Sequence, residues 1–253
     1  MNWKDWLRRI GGWVLNHLPI EGRLSYAQEG EDLVLARILG ANTSTGFYVD
    51  VGAHHPTRFS NTYYFYRRGW RGLNVDALPG TARLFQSMRS RDVTVECGVA
   101  RQAGVMTYFV FNEPALNTFS GEEAARKNRH PYQIVNKLQI SVLTLKEILD
   151  KHVPPGVTID FMTIDVEGLD HEVVCSNDWS RYRPRLVLVE LLNVGIDNII
   201  GHPTTQFLWQ QGYRPVAKTL NTVFFVHAEV VPGQSGFFNP PQNKPAQAMV
   251  SGE

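Results

Sequence analysis

The chain has 253 residues, which is long enough for one large α/β domain. Its composition, with 43% hydrophobic and 19% charged residues, excludes a disordered chain. Its formal net charge of +1 gives no electrostatic case for a nucleic acid partner. No apolar run reaches the roughly 20 residues of a membrane-spanning helix. The two cysteines, Cys97 and Cys175, are too few for a disulfide framework, so we expect buried, reduced thiols in a cytoplasmic protein.

Residues 1–18 predict an amphipathic helix, since large apolar side chains recur every three or four positions with basic side chains between them. Its apolar face bears Trp3, Trp6, Leu7, Ile10, Trp13, Val14 and Leu18. Two interpretations stay open: this face packs on the domain or a second copy of the chain, or it docks peripherally on the inner face of a membrane. We therefore divide the chain into 1–22 (helix and linker), 23–230 (globular domain) and 231–253, a Pro/Gln-rich tail expected to be poorly ordered.

Strands alternate with helices through the globular domain, which predicts a mostly parallel sheet covered on both faces. The expected strands are 47–51, 72–76, 93–97, 159–164 and 186–189, then an antiparallel hairpin of 213–217 and 223–227. The expected helices are 33–39, one from residue 63 capped by Ser60, 81–88, 144–151, 169–175 and 204–211. Residues 105–110 alternate like an additional strand, and 112–139 predict a long polar loop over the acceptor.

The run Gly46–Pro56 is an apolar strand that ends in an acid and is followed by a glycine turn and a polar loop. This arrangement brings backbone N–H groups to a ligand at the carboxyl end of a strand. It is not Gly-x-Gly-x-x-Gly, because His54 and Pro56 stand where a pyrophosphate needs bare backbone. The chain also has no Tyr-x-x-x-Lys pair. An NAD-linked epimerase or dehydrogenase is therefore the weaker alternative.

Acidic side chains end four of the predicted strands, and the carboxyl ends of these strands meet in one crevice. These side chains are Asp50, Asp76, Asp165 and Glu190. Asp76 ends the second strand, where an acid accepts both hydroxyls of an adenosine ribose. A cofactor with a ribose but no phosphates, such as S-adenosylmethionine, fits this pattern.

Three segments between about Ser25 and His227 resemble the FkbM family of S-adenosylmethionine-dependent methyltransferases. Ser25–Leu33 is similar to the family's entry motif, and Phe47–His54 to its glycine loop. Asp160–Gly168, with Asp-Val-Glu-Gly at a strand end, is similar to its most distinctive signature. The resemblance implies the class I methyltransferase (Rossmann-like) fold, a seven-stranded mixed α/β sheet of order 3-2-1-4-5-7-6 with helices on both faces.

The resemblance also implies which residues hold the cofactor. The glycine loop would line its methionine portion, Asp76 would take the ribose, the residues after the third strand would edge the adenine, and Asp165 would lie near the methionine amino group. The implied cofactor-binding residues are Gln28, Asp50, Gly52, Ala53, His54, Ser60, Asn61, Asp76, Cys97, Gly98, Val99 and Asp165.

The implied reaction is methylation of a sugar hydroxyl on a glycan, glycolipid or natural product, which needs a base or a metal to remove the proton. His55, Glu167 and Glu190 are the candidate bases. For two of them a structural alternative stays open: His55 caps its own loop, and Glu167 is an acid at a helix N-terminus. A divalent cation held by Asp165, Glu167, Glu190 and a histidine is compatible with the spacing but not demanded by it. A methyltransferase-like binding module without turnover is the non-enzymatic alternative.

Overall fold

The computed structural model describes residues 22–40 and 45–230. The predicted N-terminal helix at 1–18 and the C-terminal tail at 231–253 lie outside the described residues. Among the helices that are described, none is long and apolar enough to cross a membrane.

Ten strands and seven helices make up the described chain. The strands are β1 (Phe47–Val51), β2 (Arg71–Asp76), β3 (Val93–Glu96), β4 (Gly98–Val99), β5 (Gly104–Phe111), β6 (Ile134–Leu143), β7 (Phe161–Ile164), β8 (Leu186–Glu190), β9 (Tyr213–Lys218) and β10 (Thr222–His227). The helices are α1 (Glu31–Leu39), α2 (Tyr63–Tyr66), α3 (Thr81–Met88), α4 (Gly121–Lys127), α5 (Leu145–His152), α6 (Asp170–Cys175) and α7 (Pro203–Gln210).

Seven of the strands form one mixed sheet in the order β3-β2-β1-β7-β8-β10-β9. The first five are parallel, and β10 runs antiparallel to both of its neighbours. Counted within this sheet alone, the order is 3-2-1-4-5-7-6. The numbering along the chain differs from the predicted one because β4, β5 and β6 form a second sheet that the prediction left out.

The side chains of β1 alternate between two hydrophobic cores, one on each face of the large sheet. Phe47, Val49 and Val51 pack in a core with α5, α6 and α7, and Tyr48 packs in the other with α1 and α2. Because both faces are covered, the central strands are almost continuously apolar. The single charged residue of β1, Asp50, is consequently buried.

The prediction of a long loop at 112–139 is wrong for most of this segment. It contains a 3-10 turn (Pro114–Leu116), then α4, and then the start of β6. The Ser120 hydroxyl accepts a hydrogen bond from Glu123 N and so caps α4. The strand predicted at 105–110 is β5, which pairs antiparallel with β6. Half of the β6 residues are exposed, although Leu138, Ile140 and Val142 alternate with polar residues, a period-2 pattern that the loop prediction overlooked.

A buried ion pair joins the two central strands β1 and β2 to the start of α2. Arg89, directly after α3, lies 2.8 Å from Asp92, and both side chains are fully buried. The Arg89 guanidinium also donates to the Tyr48 hydroxyl at 2.7 Å and to Thr62 Oγ1 at 3.0 Å. Thr62 Oγ1 in turn donates to Asp50 Oδ2 at 2.6 Å, and a backbone N–H of β2 donates to Asp92. The network therefore fixes the acid that precedes the glycine loop.

We expect the substitution R89M to lower the free energy of unfolding by about 3–5 kcal/mol, because it leaves Asp92 buried without its cation. Urea unfolding followed by circular dichroism measures this change. Arg83 lies on the exposed side of α3 and gives the matched control, R83M, which should change stability by less than about 0.5 kcal/mol. Equal stability of the two variants would contradict the structural role of Arg89.

Candidate active site

An open cleft lies at the carboxyl ends of β1, β2, β7 and β8, with about 1000 Å³ of empty space counted out to its mouth. Most of the predicted site residues line it. These are Gln28, Gly52, His54, Asn61, Asp76, Cys97, Gly98, Val99, Asp165, Glu167 and Glu190. Four predicted residues do not line it: Asp50, Ala53, His55 and Ser60. Both cysteines are free thiols; Cys97 is buried as expected, whereas Cys175 is only partly buried.

Gly52 permits a close crossing of the glycine loop and the end of β7. Its φ of 85° is in the left-handed region, and a Cβ at this position would lie 1.7 Å from the Asp165 carbonyl oxygen. The N–H groups of Gly52 and Ala53 donate to the Val75 carbonyl at 2.9 and 3.0 Å. The expectation that these amides face a ligand is therefore wrong, because the Val75 carbonyl of β2 already accepts their hydrogen bonds.

Asp50 and Ser60 support the cleft from behind rather than lining it. Asp50 accepts the hydrogen bond from Thr62, and burial raises the pKa of its carboxyl. The Ser60 hydroxyl accepts a hydrogen bond from Tyr63 N at 3.1 Å, although the N-cap residue of α2 is Thr62 and not Ser60 as predicted. Both residues thus order the loop and α2 without direct access to a ligand in the cleft.

Asp76 lines the cleft and also fixes the backbone around it. Its carboxylate accepts hydrogen bonds from His54 N and Leu78 N, each at 2.8 Å, and from Thr81 Oγ1 at 3.2 Å. Burial raises the pKa of Asp76 to about 6, against the opposing effect of these donors. The carboxylate is therefore ionised at neutral pH and retains lone pairs for a further donor.

The two neighbouring histidines have different roles. His54 lines the cleft, its φ is 51°, and its Nε2 is buried without a hydrogen-bond partner among the described residues. Burial and then the charge of Arg58 lower the pKa of His54 to about 4, so its imidazole is neutral at pH 7. His55 Nδ1 instead accepts hydrogen bonds from Thr57 N and Arg58 N. His55 is thus a cap of its own loop, as its structural alternative supposed.

Glu167 and Glu190 form the acidic end of the cleft together with Asp165. Glu167 has a φ of 57°, and its carboxyl forms an ion pair with the Lys127 ammonium. Burial raises the pKa of Glu167, and Lys127 opposes this shift. Burial and then the charge of Asp165 raise the pKa of Glu190 to about 12. Glu190 is therefore protonated at neutral pH, whereas Lys127 favours the ionised form of Glu167.

Asp170 is a site residue that the sequence reasoning missed. Its two carboxylate oxygens accept hydrogen bonds from Val166 N at 2.9 Å and Gly168 N at 3.0 Å. Burial raises the pKa of Asp170 to about 7. A ligand atom of Asp170, one of Asp165 and one of Glu190 all lie within 4.8 Å of one another. The available signal was an acid just after the strand-end signature, at the second position of the helix predicted at 169–175.

The second sheet covers one side of the cleft and was missed as a sheet, whereas the segment after β5 belongs to residues 112–139, which were predicted to lie over the acceptor. Tyr108 on β5 and the following Asn117 and Phe119 are lining residues. The rings of Tyr108 and Phe119 pack with their centroids 4.6 Å apart. A Cβ on Gly98 would lie 2.5 Å from the Phe119 ring, so this glycine lets the second sheet approach the end of β3.

A comparison with known families identifies this arrangement: the profile of the Methyltransferase FkbM domain matches residues 50–215, more than half of the chain. The chain belongs to the FkbM methyltransferase family. The enzymes of this family depend on S-adenosylmethionine, which is therefore the cofactor of this FkbM protein. No protein of curated function matches the chain.

Several solved structures are similar to the FkbM chain at low identity. Precorrin-6y C5,15-methyltransferase from Geobacter metallireducens GS-15 is 12% identical, with 83% of this chain and 92% of that chain covered and a TM-score of 0.38. A methyltransferase from Geobacter sulfurreducens is 10% identical, with 86% and 96% covered and a TM-score of 0.36. The O-methyltransferase from Bacillus cereus in complex with SAH is 9% identical, with 87% and 88% covered and a TM-score of 0.35.

The residues of the cleft fit S-adenosylmethionine. The ionised carboxylate of Asp76 can accept hydrogen bonds from ribose hydroxyls. At the other end, the carboxyls around Asp165 suit the positive charges of the methionine portion. The neutral ring of His54 has a buried nitrogen, Nε2, that is available for a polar contact with the cofactor. Polar and charged groups are thus available along the whole cofactor.

We expect G52A to abolish S-adenosylmethionine binding in calorimetry, because the new Cβ must displace the end of β7 from the glycine loop. Thermal unfolding should show a loss of stability as well, since alanine is strained at this φ. The control is G104A at the start of β5, where a Cβ meets nothing within 4 Å. Normal cofactor binding by G52A would contradict the close crossing.

Proposed function

We propose that this FkbM protein transfers a methyl group from S-adenosylmethionine to a hydroxyl of a carbohydrate, on a glycan, a glycolipid or a natural product. The observation that carries the proposal is that Glu167, a proton acceptor, lines the same cleft as the cofactor residues. A sugar hydroxyl is a weak nucleophile and needs its proton removed as it reacts. The bound cofactor supplies an electrophilic methyl on a sulfonium.

Glu167 is the residue that we assign as general base. Its carboxylate would take the hydroxyl proton as the hydroxyl oxygen bonds to the methyl carbon, and the carbon–sulfur bond would break to leave neutral S-adenosylhomocysteine. Burial raises its pKa, which strengthens it as a base, and the ion pair with Lys127 favours its ionised form. Lys127 is a positioning residue in this assignment, and so is Thr118, whose hydroxyl donates to the Glu167 carbonyl at 2.7 Å. Glu190, which was also predicted as a base, is protonated at neutral pH and in that state cannot accept the hydroxyl proton.

The rim of the cleft supports a hydroxyl-rich acceptor. Gln28, Glu29 and Asn221 contribute amide and carboxylate groups there, while Thr222 is buried deeper and its hydroxyl donates to Glu31 Oε1 at 3.4 Å. Glu29 is held in place by the backbone N–H and the side-chain amide of Asn221, each at 2.9 Å. Side chains of this kind bind sugar hydroxyls through hydrogen bonds without requiring charge on the acceptor.

The decisive experiment is release of S-adenosylhomocysteine in the presence of a panel of glycans and glycolipids. We expect E167Q to lower kcat by about 10²–10⁴-fold, the usual contribution of a general base, with little change in cofactor affinity. E122Q, at an exposed position on α4, is the control and should behave as wild type. Cofactor binding without turnover on any acceptor would favour the binding-module alternative, and calorimetric heat with NAD instead of S-adenosylmethionine would favour the NAD-linked one.

Cofactor affinity should also depend on pH through Asp76. Because ribose hydroxyls donate to the ionised carboxylate, protonation of Asp76 removes an acceptor, and affinity should fall as the pH drops through about 6. D76N should weaken binding by about 10–100-fold at pH 8, the value of a hydrogen bond to a charged group. Its residual affinity should change less between pH 5 and pH 8 than that of wild type. Calorimetry across this range, with an equally steep profile for D76N, would refute the assignment.

A further inference from the structure

We infer that Asp165, Asp170 and Glu190 form a binding site for one divalent cation of the oxygen-preferring class. The inference rests on the proposed function for its chemical role, but not for the binding itself. The predicted cation site contained Glu167 and a histidine. The structure replaces them, because the Glu167 carboxyl is paired with Lys127 and no histidine of the described residues belongs to the cluster.

The distances within the cluster match a shared cation. One carboxylate oxygen from each residue lies within 4.8 Å of the others. Two oxygens on one ion are separated by at most twice the metal–oxygen distance, which is about 4.6–5.2 Å for Ca²⁺ and about 4.2 Å for Mg²⁺. Three oxygens all separated by this upper limit would lie about 2.8 Å from an ion at their centre, so the cluster accepts Ca²⁺ after a contraction of at most a few tenths of an ångström and Mg²⁺ or Mn²⁺ after a larger one.

An unsatisfied oxygen in the cluster supplies independent support. Glu190 is only 9% exposed, and its Oε2 has no hydrogen-bond partner among the described residues. A buried carboxyl oxygen without a donor is costly, and a cation that displaces the Glu190 proton would satisfy it together with the two neighbouring carboxyls. No Lys or Arg side chain of the described residues forms an ion pair with any of the three carboxylates.

The remaining groups are compatible with coordination. Asp170 uses one lone pair of each oxygen for the N–H groups of Val166 and Gly168, so a second lone pair on each oxygen is available to a cation. Asp165 and Glu190 also line the cleft, which gives the ion an entry path and room for water ligands. A cation at this place would lower the pKa of an acceptor hydroxyl beside it and so assist Glu167.

The test uses the full chain, freed of metal with EDTA and dialysed into chelator-free buffer. Mn²⁺ alone is titrated in and followed by electron paramagnetic resonance, in which bound ions lose the signal of free Mn²⁺. We expect one Mn²⁺ per chain, displaced by Ca²⁺ or Mg²⁺. E190Q and D165N should each weaken binding by at least about tenfold, since even residues that only support a metal ligand have effects of this size.

The matched control is E172Q, because Glu172 lies on α6 two residues after Asp170 but is not part of the cluster. Near-ultraviolet circular dichroism establishes that each variant is folded. No Mn²⁺ binding by wild type would overturn the inference, and so would unchanged binding by the folded E190Q and D165N variants. Calorimetry with S-adenosylmethionine on the same preparations separates the two claims. Cofactor binding without Mn²⁺ binding overturns the cation site alone, whereas Mn²⁺ binding without cofactor binding overturns the proposed function alone.

Discussion

The buried ion pair between Arg89 and Asp92 is the interaction on which the geometry of the cleft depends. Two opposite charges removed from water are stable only if their remaining hydrogen-bonding groups are satisfied. That requirement brings Tyr48 of β1 and Thr62 of α2 to the same point. Through Thr62 the network reaches Asp50, the last buried acid before the glycine turn. The N–H groups of Gly52 and Ala53 in the glycine loop are bonded to β2. The Arg89 network, which lies outside the cleft, holds the strand end from which this loop starts.

The cleft itself has two ends with different electrostatic character. At one end, Asp76 is satisfied by backbone donors and is ionised at neutral pH. At the other end, several carboxyls approach one another, and burial and mutual repulsion keep Glu190 protonated. The arrangement follows from topology, because the parallel strands β1, β2, β7 and β8 all end at the same edge of the sheet. The same local sequence pattern, a strand ending in an acid, thus gives groups with different protonation states.

The sequence was most informative where one residue type has few structural alternatives. The turn glycine at 52 and the acids that end the strands predicted the position of the cleft, and apolar periodicity predicted all seven strands of the large sheet. The strand β6 was missed although Leu138, Ile140 and Val142 alternate with polar residues, because half of its residues are exposed and its first part lies in the polar segment 112–139. His54 lines the cleft, whereas His55 accepts hydrogen bonds from the backbone of its own loop. The sequence does not show which of two adjacent histidines takes which role. Arg89 was also missed, since a lone arginine at a helix end ordinarily indicates solvent exposure.

The second sheet has a consequence for how this protein can vary. Its side chains form a small core of their own, around Ala100, Tyr108, Phe119 and Val142, against the strand ends rather than between the seven strands. The same inserted region carries Thr118 and Lys127, which hold Glu167. Substitutions in this region can therefore reshape the cover of the cleft while the parallel ladder and its ion pair stay intact. Evolution or a protein engineer can rebuild this peripheral layer independently of the seven-stranded sheet.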